Sequence, residues 1–166
     1  MYLIKLRLIS LDMKKYYLNL FNYNYWANRQ LPTALKSAGN KIDSELKLIS
    51  HIISTQDLWL KRLNSTSVFL MDIWETFPIQ EIEILSNSSS ANWQKFIKKQ
   101  NRKNFENKLC VYKNSEGVEF TNLQVDIMQH VITHSNYHRG QINLLPHNSK
   151  LEPIKTDFIS FRRGKN

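Results

Sequence analysis

One cysteine, four glycines and four prolines in 166 residues rule out several kinds of protein at the start. With Cys110 alone, neither an intrachain disulfide nor a thiolate metal cluster can form, and a reducing cytoplasm is the expected compartment. So few glycines and prolines disfavour a turn-rich β-sandwich or barrel and suit long helices. No apolar run approaches the roughly 18 residues that mark a membrane-spanning helix. The opening MYLIKLRLISLDMKKYY is apolar in flavour, yet Lys5 and Arg7 interrupt it and no small-residue cleavage site follows, which argues against a signal peptide. A phosphate-binding glycine loop and a Ser-His-Asp order are also missing, so nucleotide binding and serine-nucleophile chemistry have no support.

What is present is an ordinary apolar fraction of 42%, enough for one domain with a real core. Met13 followed by KKYY reads as a natural start, leaving residues 1–12 as an N-terminal extension and 13–166 as a single domain. The net charge of +9 raises the question of nucleic acid. Lysine and arginine are spread along the chain, however, with KFIKKQNRK (95–103) and FRRGKN (161–166) as the main clusters. A lysine-, asparagine- and isoleucine-rich composition is the ordinary product of an AT-rich genome, so nucleic acid is not the expected partner.

Hydrophobic periodicity predicts a first helix over 12–38, with Pro32 as a site of bending and Gly39-Asn40 as its stop. A second helix over about 44–64, capped by Asp43 or Ser44, carries Leu46, Ile49, Ile53, Leu60 and Leu63 on one stripe. Residues 65–87 read as connection, including an aromatic-acidic patch MDIWETFP (71–78) and the start of a serine-rich loop, SNSSSAN (86–92). A third helix is expected over 88–107. LCVYKNSEGVEFT (109–121) breaks the helical habit and reads as a short β-hairpin or irregular excursion. Thr121 and Gln124 form a capping-box pattern for a last helix running to about Leu145.

QHVITHSNYHRGQ (129–141) places three of the five histidines at four-residue steps. The stripe Leu123, Ile127, His130, His134, Tyr137, Gln141 and Leu144 follows the inward seam of a packed helix, with His138 beside it. Each four-residue step rotates a side chain by about 40°, so adjacent histidines can share one ion. His130 and His138 stand about 12 Å apart in rise and cannot. The pair is therefore 130/134 or 134/138. A further ligand must come from another helix, and His51 lies mid-helix with Leu48, Thr55 and Leu58 at similar spacing. His147 sits beyond the helix beside Pro146 and reads as a surface residue. Three neutral imidazoles leave a fourth position open for water or substrate, as catalytic sites of the zinc type do.

HVITHSNYHRGQI (130–142) resembles the C-terminal helix signature of the DinB family, His-x₃-His-x₂-Tyr-His-Arg-Gly-Gln. FNYNYWANRQLPTAL (21–35) is similar to that family's first-helix pattern, LISHIISTQDLWLKRL (48–63) to its second-helix histidine segment, and EPIKTDFISFRR (152–163) to its closing tail. The resemblance covers about 13–163 and implies an all-α fold, a four-helix bundle of the DinB/YfiT-like type, often a homodimer, with a divalent metal held by three histidines. Carried over by position, the ligands are His51, His134 and His138, and His130 is a neighbour of the ligands. The family helix runs on where this chain has Pro146.

The wider superfamily includes thiol-dependent S-transferases, a mycothiol-dependent isomerase and metal-dependent hydrolases. The resemblance therefore implies a metal-dependent hydrolase or thiol transferase acting on a small-molecule substrate, with zinc or nickel and, for transfer, a low-molecular-weight thiol cosubstrate. The alternatives are a non-catalytic dimeric stress-related protein with a structural or vestigial metal, and a DNA-associated protein. Near the ligands, Asp57 and Asp126 are candidates to accept from an imidazole or act as a base. Arg139 can hold a neighbouring helix or bind a substrate carboxylate, while Gly140 permits close helix approach. Trp26 and Trp59 read as core aromatics, and Asn22 and Asn28 as local hydrogen-bonding residues within the bundle.

Overall fold

A computed structural model describes residues 12–36, 42–66, 71–145 and 153–164. Four long helices carry the fold: α1 (Met13–Leu35), α2 (Asp43–Leu63), α3 (Ile79–Lys99) and α4 (Gln124–Leu144). Between α3 and α4 lies an antiparallel hairpin of β1 (Leu109–Lys113) and β2 (Glu119–Leu123), and a short α5 (Phe158–Arg163) follows. The architecture is the expected all-α bundle with a hairpin before the last long helix. Among the described residues no helix is long and apolar enough to cross a membrane. His147, Pro146, Gly39-Asn40 and residues 1–11 of the expected extension lie outside the described residues.

The helix starts depart from expectation in instructive ways. α1 begins where Asp12 accepts a bond from the backbone N–H of Lys15 at 3.2 Å, an ordinary N-cap, and continues through Pro32 to Leu35. α2 has Ile42 at its N-cap with no side-chain bond, so neither Asp43 nor Ser44 caps it; Asp43 and Glu45 instead put negative charge in the first turn. α3 starts after Pro78, nine residues before the expected 88, and ends at Lys99 instead of 107. The supposed serine loop is helix. Ile82, Ser86, Ser89, Trp93 and Phe96 are buried at alternating steps of four and three, a regular inward seam that two small hydroxyl residues conceal from a hydropathy reading.

The capping box at Thr121 does not form either. Thr121 pairs with Val111 in the hairpin, and Leu123 is the N-cap of α4, without a side-chain bond. The hairpin turns on Asn114, whose side-chain oxygen accepts from the backbone N–H groups of Glu116 and Val118, each at 2.9 Å. Gly117 there has φ 82°, the left-handed region that glycine enters at no steric cost.

α1 packs chiefly on α3, and α2 on α4. One core cluster gathers Tyr17, Phe21, Trp93, Phe96, Met128 and Val131, with Phe21 stacked on Trp93 at 4.4 Å between ring centroids. A second gathers Leu31, Ile49, Ile53, Ile82 and Ile142. α5 covers α1 through Phe161, which packs on Tyr23 and Trp26.

Between α1 and α4 the interior is polar. Arg139 is 1% exposed, and its Nη1 donates to Asn24 Oδ1 at 2.7 Å and Asn28 Oδ1 at 2.6 Å. Its Nη2 donates to Asn136 Oδ1, and the guanidinium lies 5.5 Å from the Tyr23 ring centroid. Among the described residues no carboxylate forms an ion pair with it. Arg139 thus holds two helices together, and Asn28 serves the local bonding role expected of it. Gly140 does not permit close approach: a Cβ there meets nothing within 4 Å.

Removing Arg139 would leave the buried amide oxygens of Asn24 and Asn28 without their donor, and each buried unsatisfied acceptor costs about 1–3 kcal/mol. Arg139→Ala is therefore expected to lower unfolding free energy by about 3 kcal/mol or more in urea denaturation. A loss below about 1 kcal/mol would contradict this reading.

Candidate metal centre

The buried stripe of α4 runs through Gln124, Met128, Val131, Ser135, His138 and Ile142. This corrects the predicted seam. His138 is on the inner face at 7% exposure, His134 flanks it half-buried, and His130 is exposed, as are Tyr137 and Leu144. The polar residues Gln124, Ser135 and Arg139 occupy the inner face, so a hydropathy reading sets the stripe one position off. α2 supplies His51, 4% exposed, from its centre.

These elements bring three imidazoles together. One ligand-capable nitrogen from each of His51, His134 and His138 lies within 4.8 Å of the others. His134 Nε2 and His138 Nε2 are 3.1 Å apart. A tetrahedral zinc–imidazole site with bonds of 2.0–2.1 Å sets its nitrogens about 3.3 Å apart, so this spacing fits a shared ion.

The tautomers support the same use. His51 Nδ1 lies 2.8 Å from the carbonyl oxygen of Ile73, which can only accept, so the ring proton is on Nδ1 and the lone pair on Nε2. His138 Nδ1 lies 2.6 Å from Gln141 Oε1, and the same amide donates through Nε2 to the Tyr137 hydroxyl at 3.1 Å. That orientation makes Gln141 an acceptor and leaves His138 Nε2 free to ligate. Such outer bonds are what metal-bound histidines need to hold ring and tautomer in place.

Electrostatics favour the neutral forms of His51 and His134. Burial, followed by the neighbouring His138, His51 and His130, pushes the pKa of His134 down to about 3. Burial lowers the pKa of His51 and of His130 as well. Neutral imidazoles are the ligating form, so His51 and His134 do not have to shed protons near neutral pH before holding a cation.

Trp74, which sequence reasoning passed over, covers this site. Its ring stacks on His51 at 3.7 Å between centroids and 6° between planes. The MDIWETFP segment therefore supplies both the carbonyl that orients His51 and the ring that shields it. The backbone N–H of Phe77 ties the segment to α2 by donating to Ser50 Oγ at 2.9 Å. The aromatic-acidic composition was the available signal.

Of the remaining candidates, His130 packs against Trp59 with 5.3 Å between centroids, and both line a cleft of about 1280 Å³ together with His51 and His134. Trp59 is thus a cleft residue as well as a packing one. Asp57 is placed elsewhere. Its carboxylate accepts from Ser89 Oγ at 2.7 Å and lines a separate hollow of about 350 Å³ with Lys61, Lys95 and Lys99. Asp126 is exposed near Tyr17, and Arg139 faces α1. None of the three is brought to the histidine cluster.

Fold and site together define a helical-bundle protein whose second and fourth long helices form a three-histidine cluster able to bind a metal ion. Residues 13–165 match the sequence model of the DinB family, and the chain belongs to that family. It is 26% identical to Protein DinB of Bacillus subtilis (strain 168), across 88% of this chain and 93% of that protein. No solved structure matches it.

Asp57 offers a test of the assignment away from the site. Burial raises its pKa above the ordinary 3.8, while the Ser89 bond and Lys61 pull it back in part. A raised carboxyl is ionised at a cost in the folded state, and that cost vanishes as pH falls through the folded pKa toward 3.8. Asp57→Asn keeps an acceptor for Ser89 and removes the charge. It should raise the melting temperature at pH 7, with the gain shrinking toward pH 4 in thermal scans.

Proposed function

We propose that His51, His134 and His138 hold one divalent ion, zinc or nickel, and that the protein is a metal-dependent enzyme, a hydrolase or a thiol-dependent S-transferase. The observation that carries this reading is the 3.1 Å approach of two imidazole Nε2 atoms opposite His51, with the Nδ1 atoms of His51 and His138 already engaged. Two nitrogen lone pairs that close repel one another unless a proton or a cation lies between them. An ion with an open position lowers the pKa of a bound water or thiol and so supplies a nucleophile near neutral pH.

The chain's own residues do the rest. Ile73 and Gln141 hold the ligand tautomers, and Trp74 excludes water from one face of His51. The open side of the cluster faces the cleft, where His130 stands close enough to exchange a proton with a small molecule lying against His134. Residues 13–166 serve as one domain of a cytoplasmic homodimer in this reading, with a small-molecule substrate and, for transfer, a low-molecular-weight thiol cosubstrate.

Elemental analysis of purified wild type beside His51→Ala tests the ligand set. Wild type should carry about one ion per chain, and the variant's affinity should fall by at least about a hundredfold with the helical signal retained. Full occupancy in the variant would remove His51 from the set. Gln141→Leu leaves the His138 Nδ1–H without its acceptor, so a loss of about 10–100-fold in affinity is expected in a competitive chelator titration.

A further inference from the structure

The cleft is longer than three histidines require. His51, Thr55, Leu58 and Arg62 line it from α2 at steps of four, three and four. That spacing keeps them within about 40° of one helical face. Eleven residues separate His51 from Arg62, or roughly 16 Å of helical rise. α4 runs the opposite way alongside, since His138 meets His51 while His130 meets Trp59. Going outward from the ligand cluster, the cleft passes His130 and Trp59 and ends on Arg62 beneath the hairpin.

Arg62 is firmly held but incompletely satisfied. Its guanidinium lies 4.6 Å from the Trp59 ring centroid and 4.9 Å from that of Tyr112, and Nη2 donates to the Lys113 carbonyl at 3.1 Å. Among the described residues no carboxylate forms an ion pair with it, and its Nε is buried without a hydrogen-bond partner. A second polar group on the same stripe is in the same condition. Thr55 is 5% exposed, one turn from His51, and its hydroxyl has no partner. Buried polar groups are normally paired, and a fixed guanidinium that lines a cleft without a carboxylate partner is an anchor for a planar anion. Between the two ends the walls are apolar, from Leu58, Trp59 and Met71.

We propose that the cleft binds an elongated amphipathic monoanion, with its reactive head at the three histidines, an apolar body along Leu58 and Trp59, and a terminal carboxylate on Arg62. This assignment rests on the metal reading above and adds the substrate class to it. Thr55 lies in the cleft wall just beyond the head group, and Arg62 fixes how far in the head group reaches.

The test uses the zinc-loaded full chain and isothermal titration calorimetry with two probes, mercaptoundecanoate and its uncharged counterpart mercaptoundecanol. The thiol of each offers a ligand for zinc, and only the first offers a carboxylate. Wild type should bind the carboxylate at least about tenfold more tightly. Arg62→Met should erase that preference while leaving the alcohol's affinity within about twofold, and Arg62→Lys should retain part of it. Equal affinity of the two probes for wild type overturns the proposal without reference to any variant. So does a preference that survives in Arg62→Met, or binding of neither probe. Zinc content measured beforehand separates the two readings. A wild type that takes up no zinc overturns both, whereas a zinc-loaded protein indifferent to the carboxylate overturns only this one.

Discussion

A guanidinium 1% exposed, with no carboxylate pairing with it among the described residues, must be solvated by the protein itself, and Arg139 is solvated by three asparagine side chains. Two of them come from α1 and one from its own helix. The Tyr23 hydroxyl, 2.8 Å from both Asn136 Oδ1 and the Thr156 carbonyl oxygen, extends the network to the chain leading into α5. Apolar packing alone tolerates rotation of a helix by a fraction of a turn. A buried cation with directional partners does not. Turning α4 by one residue, about 100°, would withdraw Arg139 from Asn24 and Asn28 and swing His138 off the α2 side. The lock on one face of α4 therefore sets which histidines meet His51 on the other.

The histidine cluster follows from that rotation, and it imposes requirements of its own. Neutral imidazoles that converge on their Nε2 atoms need acceptors behind them, or the tautomers are undefined. Ile73 meets this need from a connecting segment and Gln141 from the next turn of α4. Residues 71–78 of the connection between α2 and α3 thus pack around the site, with Trp74 lying flat on the His51 ring. In a chain of net charge +9, burial and the proximity of neighbouring rings still oppose protonation of His51 and His134.

How much of this was legible in the sequence depends on residue chemistry. The 134/138 pairing followed from spacing and resemblance together, and the hairpin from the alternation around NSEG, because both signals are periodic and local. The start of α3 was not legible, because Ser86 and Ser89 hold seam positions that pattern reading reserves for apolar side chains. The inner face of α4 was misjudged for the same reason: Gln124, Ser135 and Arg139 are buried there while Tyr137 is 63% exposed. Trp74 stacking on His51 joins residues 23 positions apart through a non-repetitive segment, and no periodicity encodes such a contact. Asp57 shows the opposite error. Its closeness to His51 in sequence suggested a shared site, yet six residues along a helix turn a side chain through about 240°, toward α3 and Ser89.

The two halves of the site are built from parts of different character. The three histidines stand on the centres of α2 and α4, where the core clusters and the Arg139 network hold the backbone in place. The far wall of the cleft comes from the hairpin, which is fastened to α2 by Arg62 through the Lys113 carbonyl, the Tyr112 ring and a weak Cys110 Sγ contact to the Arg62 carbonyl at 3.5 Å. Sites on rigid elements keep geometry, and walls made of loops and edges admit variation. Arg62 joins the two parts, since it anchors the wall and lines the cleft at the same point. Under the proposed function the chemistry would belong to the bundle and the choice of molecule to the hairpin and the end of α2. Val111 and Ser115 line the cleft but make no ring contact or hydrogen bond with the histidines, so under the proposed function changes there would bear on what enters and not on how the histidines are placed.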